Sequence, residues 1–570
     1  MPDIFYILLR RLRKPLILLI VVYAVSILGF WLIPGQDDQG NVWYMSFFHA
    51  FYFVSYMAST IGFGEIPYAF SDAQRLWAMF TIYATVIGWL YSIGMLLSVL
   101  QDPAFRQLRN EYAFRRRVQR LRTPFYLVCG SGDTGAILIH ALAEEGIRSV
   151  VIDQDEAAIS RLELQDFAYH PPAIIGDASR PTMLEAGGVT SPYCLGVIAL
   201  TYSDQVNLLI ALATHLLNPE IRFLARADSD EAVANISSFG DNIAINPFEI
   251  FAGRLMLALQ HPGHYTLFEW ITGVPHETLM EPTFPQPGRW LICGYGRLGR
   301  ILYERFSNIG IEATIVEPEL PLKNWPQQFV RGGGTDTETL CLAGIHEATG
   351  IVAATDNDGN NLSILMTARE LNPDIFMVAR QNNRENAPIF DKARCHLTMK
   401  RGDVVAHKIF ALLRTPLIGE FLDLAAECDE SWANQLLSRI LAVTDDNVPY
   451  LWELKIAKNR TPALYQVCKP GSAFTVPLYT LLRKPSDREQ RLAVIPLLLK
   501  RQGAALLVPE DEVELQVSDR ILMCATRKVR REMEWATQNE KVLHYLLTGH
   551  DGQSHSMVWR WLTRTGATTR

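Results

Sequence analysis

Cysteine is scarce. Eight cysteines in 570 residues form no C-x-x-C pair and no Cys/His cluster at zinc spacing, which excludes a disulfide framework and a finger-type zinc site and points to a reducing compartment. Charge is sparse too, at 20% of residues, and a net charge of -7 with a pI near 6.0 leaves no basic excess. Neutralising phosphates needs such an excess, so nucleic acid is not the partner. The 37 glycines and 30 prolines are dispersed among 49% apolar residues, which excludes collagen-like and wholly disordered chains. The length implies about three to five domains and a sizeable core. Beyond the first hundred residues no segment reaches eighteen uncharged apolar residues.

The apolar runs are concentrated at the N-terminus. Pro15 to Ile33 is nineteen residues without a charge and Leu76 to Leu100 is twenty-five, each long enough as a helix to cross a bilayer core of about 30 Å. Arg10, Arg11, Arg13 and Lys14 precede the first run, and Arg106, Arg109, Arg115, Arg116, Arg117 and Arg120 follow the second. Positive charge at both outer flanks places both ends in the cytoplasm. The first run lacks a small-x-small site and is followed by another span, which argues against a cleaved signal. No span carries arginine at every third position, so a voltage sensor of the usual kind is absent.

Between the spans, Phe47 to Ala58 is apolar but too short to cross, and Ser59, Thr60, Ile61, Gly62, Phe63, Gly64 and Glu65 follow it. Non-helical backbone at membrane depth is tolerated where it is buried in protein or lines a water-filled path, so this stretch is expected to re-enter the membrane. Glycines alternating with bulky residues allow backbone carbonyls to turn to one side, and rings of such oxygens replace the hydration shell of K⁺. Thr60 to Glu65 resembles the potassium-channel signature Thr-Val-Gly-Tyr-Gly-Asp, in the matching order of span, short helix, filter, span. Phe63 lacks the usual phenol, and Glu65 is one methylene longer than the usual Asp. The resemblance implies a filter of Thr60, Ile61, Gly62, Phe63 and Gly64, four chains around one pore, and permeant K⁺. Gly88, near mid-span, is the expected gating hinge; Gly94 is the other glycine in that helix.

After a polar, arginine-rich connector, an apolar strand from Phe125 runs into Gly130, Gly132 and Gly135; a helix and a second strand follow, ending at Asp153 eighteen residues past the third glycine. This is the dinucleotide-binding order, in which the turn and helix N-terminus approach a pyrophosphate and the acid holds a ribose hydroxyl. The pattern recurs 164 residues later as Gly294, Gly296 and Gly299, with Glu317 at the same spacing. Gly176 to Ser179 matches Gly333 to Asp336, Thr201 to Leu208 matches Thr355 to Leu362, and Leu224 to Arg226 matches Val378 to Arg380. Tandem Rossmann-type units behind a two-span pore resemble the regulators of potassium conductance, the TrkA-N type domains (RCK domains) shared with Trk and Ktr uptake subunits. Leu506 to Val513, with Val517 to Leu522, resembles the strand pair of the small C-terminal lobe of that family.

The expected architecture is a membrane α-helical pore module of two spans plus a re-entrant helix, then tandem α/β Rossmann-type RCK domains with small α+β C-terminal lobes. Its boundaries are 1–101 for the pore, 102–124 for the connector, 125–285 and 286–420 for the RCK domains, 421–530 for the lobe and 531–570 for a basic tail. The fourth turn position is Asp133 in the first copy and Arg297 in the second, and a cation beside phosphate is favourable. The second copy, with Gly294, Gly296, Arg297, Gly299 and Glu317, is therefore the better nucleotide site, for NAD or an adenine nucleotide, with Gly130, Gly132, Gly135, Asp153 and Asp177 as its first-copy counterparts. Asp133, Asp153, Asp177 and Asp204 are candidate ligands for Ca²⁺ or Mg²⁺. Cys129 and Cys293 read as buried small residues.

The function expected is a tetrameric, potassium-selective channel in a prokaryotic inner membrane, gated by a nucleotide or divalent ligand on a ring of eight RCK domains. A membrane-anchored NAD-dependent oxidoreductase is the competing class, but no general acid/base pair at recognisable spacing supports it. A nucleotide-sensing subunit of a cation transporter would not need a filter-like sequence.

Overall fold

The computed structural model describes residues 2–64, 68–240, 242–273, 279, 283–319, 326–444, 446–472 and 474–550. Glu65, named above, and residues 551–570 of the expected basic tail lie outside them. The chain divides into two compact units, Met1–Leu121 and Arg122–Arg570.

In the first unit, two helices are long and apolar enough to cross a membrane, Leu12–Leu32 within helix Pro2–Leu32, and Asp72–Val99 within helix Asp72–Gln101. Ser71 starts the second with a capping box, accepting from the Gln74 amide while the Gln74 side chain accepts from the Ser71 amide, which satisfies two otherwise orphaned donors. The short apolar stretch is helix Phe47–Ala58, capped by Ser46. It docks through Phe53, whose ring meets Phe30 of the first span at 4.9 Å and Phe70 at 5.0 Å, both edge-on. The spans are pinned by Trp77 Nε1 donating to the Ser26 carbonyl (3.1 Å) and Trp89 Nε1 to Tyr23 Oη (3.0 Å). The arginine-rich connector is itself a helix, Pro103–Gln119.

The second unit holds two six-stranded parallel sheets of identical topology. In the first, Phe125–Cys129 lies centrally, with Arg148–Asp153 and Ala173–Ile175 on one side and Cys194–Ala199, Arg222–Arg226 and Ile243–Ile245 on the other. In the second, Trp290–Cys293 is flanked by Ala313–Glu317 and Phe329–Arg331, and by Gly350–Ala353, Phe376–Gln381 and Leu397–Lys400. Buried Asn207 and Asn361 explain one repeated motif. Each side-chain oxygen accepts from the amide and hydroxyl of Thr201 or Thr355, and each side-chain nitrogen donates to that threonine's carbonyl and to the carbonyl of Arg226 or Arg380. Both amides are thus fully satisfied in the dry interior.

The repeats exchange their last helices. Helix Pro247–Gln260 of the first places Phe248, Phe251 and Leu255 in the core around Trp290, Leu298 and Leu302 of the second. Helix Arg401–Arg414 of the second places Val405, Ala406 and Ile409 against Val128, Leu138 and Leu142 of the first.

The C-terminal lobe is a four-stranded antiparallel sheet ordered Tyr450–Lys455, Arg520–Ala525, Val494–Arg501, Ala504–Leu507. The strands expected to pair with each other, around Leu506 and Leu522, are not neighbours: Val494–Arg501 is buried between them and pairs with both. Helices Arg527–Gln538 and Glu540–Thr548 bury Met533 and Leu543 in this lobe, so the lobe continues into the stretch that reads as a basic tail. Arg527 pairs with Glu145 (3.1 Å) and Arg530 with Glu534 (2.8 Å).

Candidate functional site

At the pore, Thr60, Gly62 and Gly64 have φ of 60°, 64° and 72°, while Ile61 and Phe63 between them do not have positive φ. Left-handed backbone at every second residue turns successive carbonyls to one side, the arrangement a dehydrated cation requires. The helix end anchors this strand: the Ile61 amide donates to the Tyr56 carbonyl (3.2 Å), and the Phe63 ring stands edge-on to Tyr56 at 6.4 Å. In the second span, a methyl added at Gly88 would rest against Leu19 at 3.8 Å, an ordinary contact, and one at Gly94 would meet nothing within 4 Å. Ser92 Oγ donates to the Gly88 carbonyl at 2.8 Å, a local bond of the kind that bends helices.

The two glycine turns share one construction. A methyl on Gly135 would sit on the Gly130 carbonyl, and one on Gly299 on the Gly294 carbonyl. Gly130 and Gly294 have φ of 103° and 107°. In each copy the acid closing the second strand reaches back to the turn: Asp153 Oδ2 accepts from the amide and hydroxyl of Ser131, and Glu317 Oε2 from the Tyr295 amide at 2.6 Å. Above the first turn, Gly130, Gly132, Asp153, Asp155, Gly176, Ala178 and Thr201 to Ser203 line a cleft of about 430 Å³. Tyr202 crosses it, its hydroxyl 2.9 Å from where a Gly132 methyl would lie; at Gly296 the equivalent position has nothing within 4 Å.

The second copy's Arg297 leaves its own turn and pairs with Asp228 of the first copy at 3.3 Å. Asp228, 4% exposed, also takes both arms of Arg226 at 2.8 Å and Arg401 at 3.4 Å. Burial alone would raise its pKa; the Arg226 hydrogen bonds, then the charges of Arg226, Arg401 and Arg297, hold it below the usual carboxylate range. Arg226 and Arg401 face the Tyr202 ring, at 5.3 and 6.0 Å. Arg380, the counterpart of Arg226, has Asn382 where Asp228 stands. Its buried Nε has no hydrogen-bond partner, and burial, with Arg401 and Arg297 nearby, pulls its pKa down to about 10.

Among the described residues, Asp133, Asp153, Asp177 and Asp204 do not gather into one cluster of metal-ligating groups. Asp177 bonds Ser179 Oγ at 2.6 Å, a contact that lowers its pKa. Asp204 accepts from the Asp228 amide (2.8 Å) and Ser229 Oγ (2.9 Å). Asp133 opens helix Asp133–Glu144. Cys129 and Cys293 are fully buried, which pushes the first thiol up and the second up to about 12.

Comparison with known proteins completes this picture. Residues 17–102 match the ion channel family, and residues 126–247 and 290–399 each match the TrkA-N domain. Together the matches cover more than half of the chain. Potassium channel protein 1 of Methanocaldococcus jannaschii is 26% identical over 240 residues, covering 42% of this chain and 67% of that protein. The voltage-gated potassium channel Kch of Escherichia coli is 22% identical over 210 residues, covering 36% and 48%. Among solved structures, the GsuK channel bound to NAD is 16% identical with a TM-score of 0.45, covering 94% of this chain and 99% of that one. The chain belongs to the two-span potassium channels with tandem TrkA-N domains. It is an ion channel rather than an enzyme.

For this channel, the gathering of Arg226, Arg297 and Arg401 on Asp228 has no local signature in the sequence; Arg297 reads there as a phosphate ligand of its own turn. Arg226 and Arg380 were visible only as repeat matches, and Arg401 carried no signal at all. The one available cue was the loss of symmetry between Asp228 and Asn382.

Proposed function

We propose that four copies of this channel enclose one potassium-selective pore in a prokaryotic inner membrane, with both termini in the cytoplasm, where eight TrkA-N repeats form a ring gated by an adenine nucleotide. The observation that carries the ligand is the cleft of about 430 Å³ over the first glycine turn. It offers an apolar floor of Ile152, Ala158 and Leu200 for a base, Asp153 and Asp155 for ribose hydroxyls, and the turn for phosphate. The second turn, open at Gly296, is the lesser site, since its Arg297 is held by Asp228. Divalent cations are not proposed as the gating ligand, because among the described residues these four aspartates do not form one ligand cluster. The nucleotide gates by binding one ring conformation more tightly than the other, since equal affinity shifts nothing.

The test is K⁺ over Na⁺ flux into liposomes holding the purified channel, with NAD, ADP or ATP added. One nucleotide is expected to change flux, and Asp153→Ala to weaken its half-effect concentration about tenfold, ~1.4 kcal/mol, while Glu317→Ala changes it less. Nucleotide-insensitive flux, or the reverse order of the two variants, overturns the assignment to the first copy.

A further inference from the structure

Helix Pro262–Thr272 packs on helix Glu430–Thr444, burying Leu267 and Ile271 with Leu436, Leu437 and Ile440. Just ahead of and inside its first turn stand His261 and His264. His264 is 8% exposed. Its Nε2 lies 3.1 Å from the Ala425 carbonyl oxygen and its Nδ1 lies 2.9 Å from Glu430 Oε2. Both partners accept hydrogen bonds and neither donates. A neutral imidazole has a single N–H, so one contact would oppose a ring lone pair to an oxygen lone pair. With Nε2–H on the Ala425 carbonyl, Nδ1 and Oε2 present their lone pairs to one place, as two ligands of one cation do.

The surroundings match the needs of a cation. His261 Nδ1 is 4.0 Å from the same Oε2, and the donor atoms of His261, His264 and Glu430 all lie within 4.8 Å of one another. Tetrahedral zinc, with bonds of about 2.0–2.2 Å, spaces its donors about 3.3–3.5 Å apart, between the 2.9 and 4.0 Å found here. The outer contacts are those that orient metal ligands: Nε2–H is directed at a backbone carbonyl, and Glu430 Oε1 accepts from the Gly263 amide. We infer that His261, His264 and Glu430 form a site for a zinc-class divalent ion, with its fourth position open to solvent beside the exposed His261. Two imidazoles suit zinc and disfavour calcium and magnesium. The ion ties the helix that follows the first repeat to one that packs under the C-terminal lobe.

The experiment uses the full-length channel in detergent, stripped with chelator and titrated with Zn²⁺ and, separately, Ca²⁺, following heat and melting temperature. One Zn²⁺ per chain and a raised melting temperature are expected, with Ca²⁺ silent. His261→Ala is expected to weaken zinc at least tenfold without altering metal-free melting; if it does alter melting, Glu430→Gln carries the same comparison. Cys341 Sγ lies 3.7 Å from His346 Nε2, so Cys341→Ser is the control and is expected to keep binding. No stoichiometric zinc, zinc indifferent to both site variants, or zinc lost with Cys341→Ser overturns the site.

Discussion

Asp228 is a single carboxylate answering three guanidiniums, and its removal leaves positive charge in the interior with no partner. Breaking a buried pair in this way costs about 3–5 kcal/mol, so Asp228→Asn is expected to lower the melting temperature of the channel sharply in thermal unfolding. Because the folded pKa of Asp228 lies below its ordinary value, its stabilisation is complete above about pH 4 and fades as pH falls through the lowered value. The wild-type advantage over Asp228→Asn is therefore expected to be largest at neutral pH and to shrink in acid, as unfolding measured across pH 3 to 7 would show. The cysteines give a second residue-scale test. Burial raises the Cys129 and Cys293 thiols and Cys341 is exposed, so a maleimide at neutral pH is expected to label Cys341 and spare the other two, mass spectrometry of digests being the check.

The glycine turns act as whole elements. A methyl at Gly135 or Gly299 lands on a backbone carbonyl, where no side chain can yield, so Gly135→Ala and Gly299→Ala are each expected to push the helix off its sheet, seen as lost cooperative unfolding. In the pore, Gly88→Ala meets only ordinary contacts; it is expected to leave assembly intact and to change open probability in single-channel recording. Elements defined by local pattern were legible in the sequence: helix Phe47–Ala58, both glycine turns and their acids, and the repeat offsets all stand on contiguous residues. What escaped it depends on partners far apart in the chain. An amphipathic pattern says that helix Arg401–Arg414 has an apolar face, yet nothing local says that the face covers the other repeat's sheet. Arg297 read as a phosphate ligand of its own turn because its neighbours are glycines; the buried carboxylate that holds it lies 69 residues away. The pairing of His264 with Glu430 spans 166 residues.

For the whole molecule, the proposed filter is the alternating backbone of residues 60–64. A methyl at Gly62 would be strained at a φ of 64°, so Gly62→Ala is expected to abolish K⁺ flux in liposomes while the protein elutes at the wild-type size on a sizing column. In the second unit, the traded helices make each repeat an incomplete object, lacking one wall of its own core and carrying one of its sister's. Cut apart, both halves would show bare apolar sheet to water; mixed again, they would recognise each other by that missing wall. The pair is thus the smallest heritable part of this unit. The two copies can diverge in chemistry, as Asp228 and Asn382 have done, but neither can be lost or replaced alone without unmaking the other.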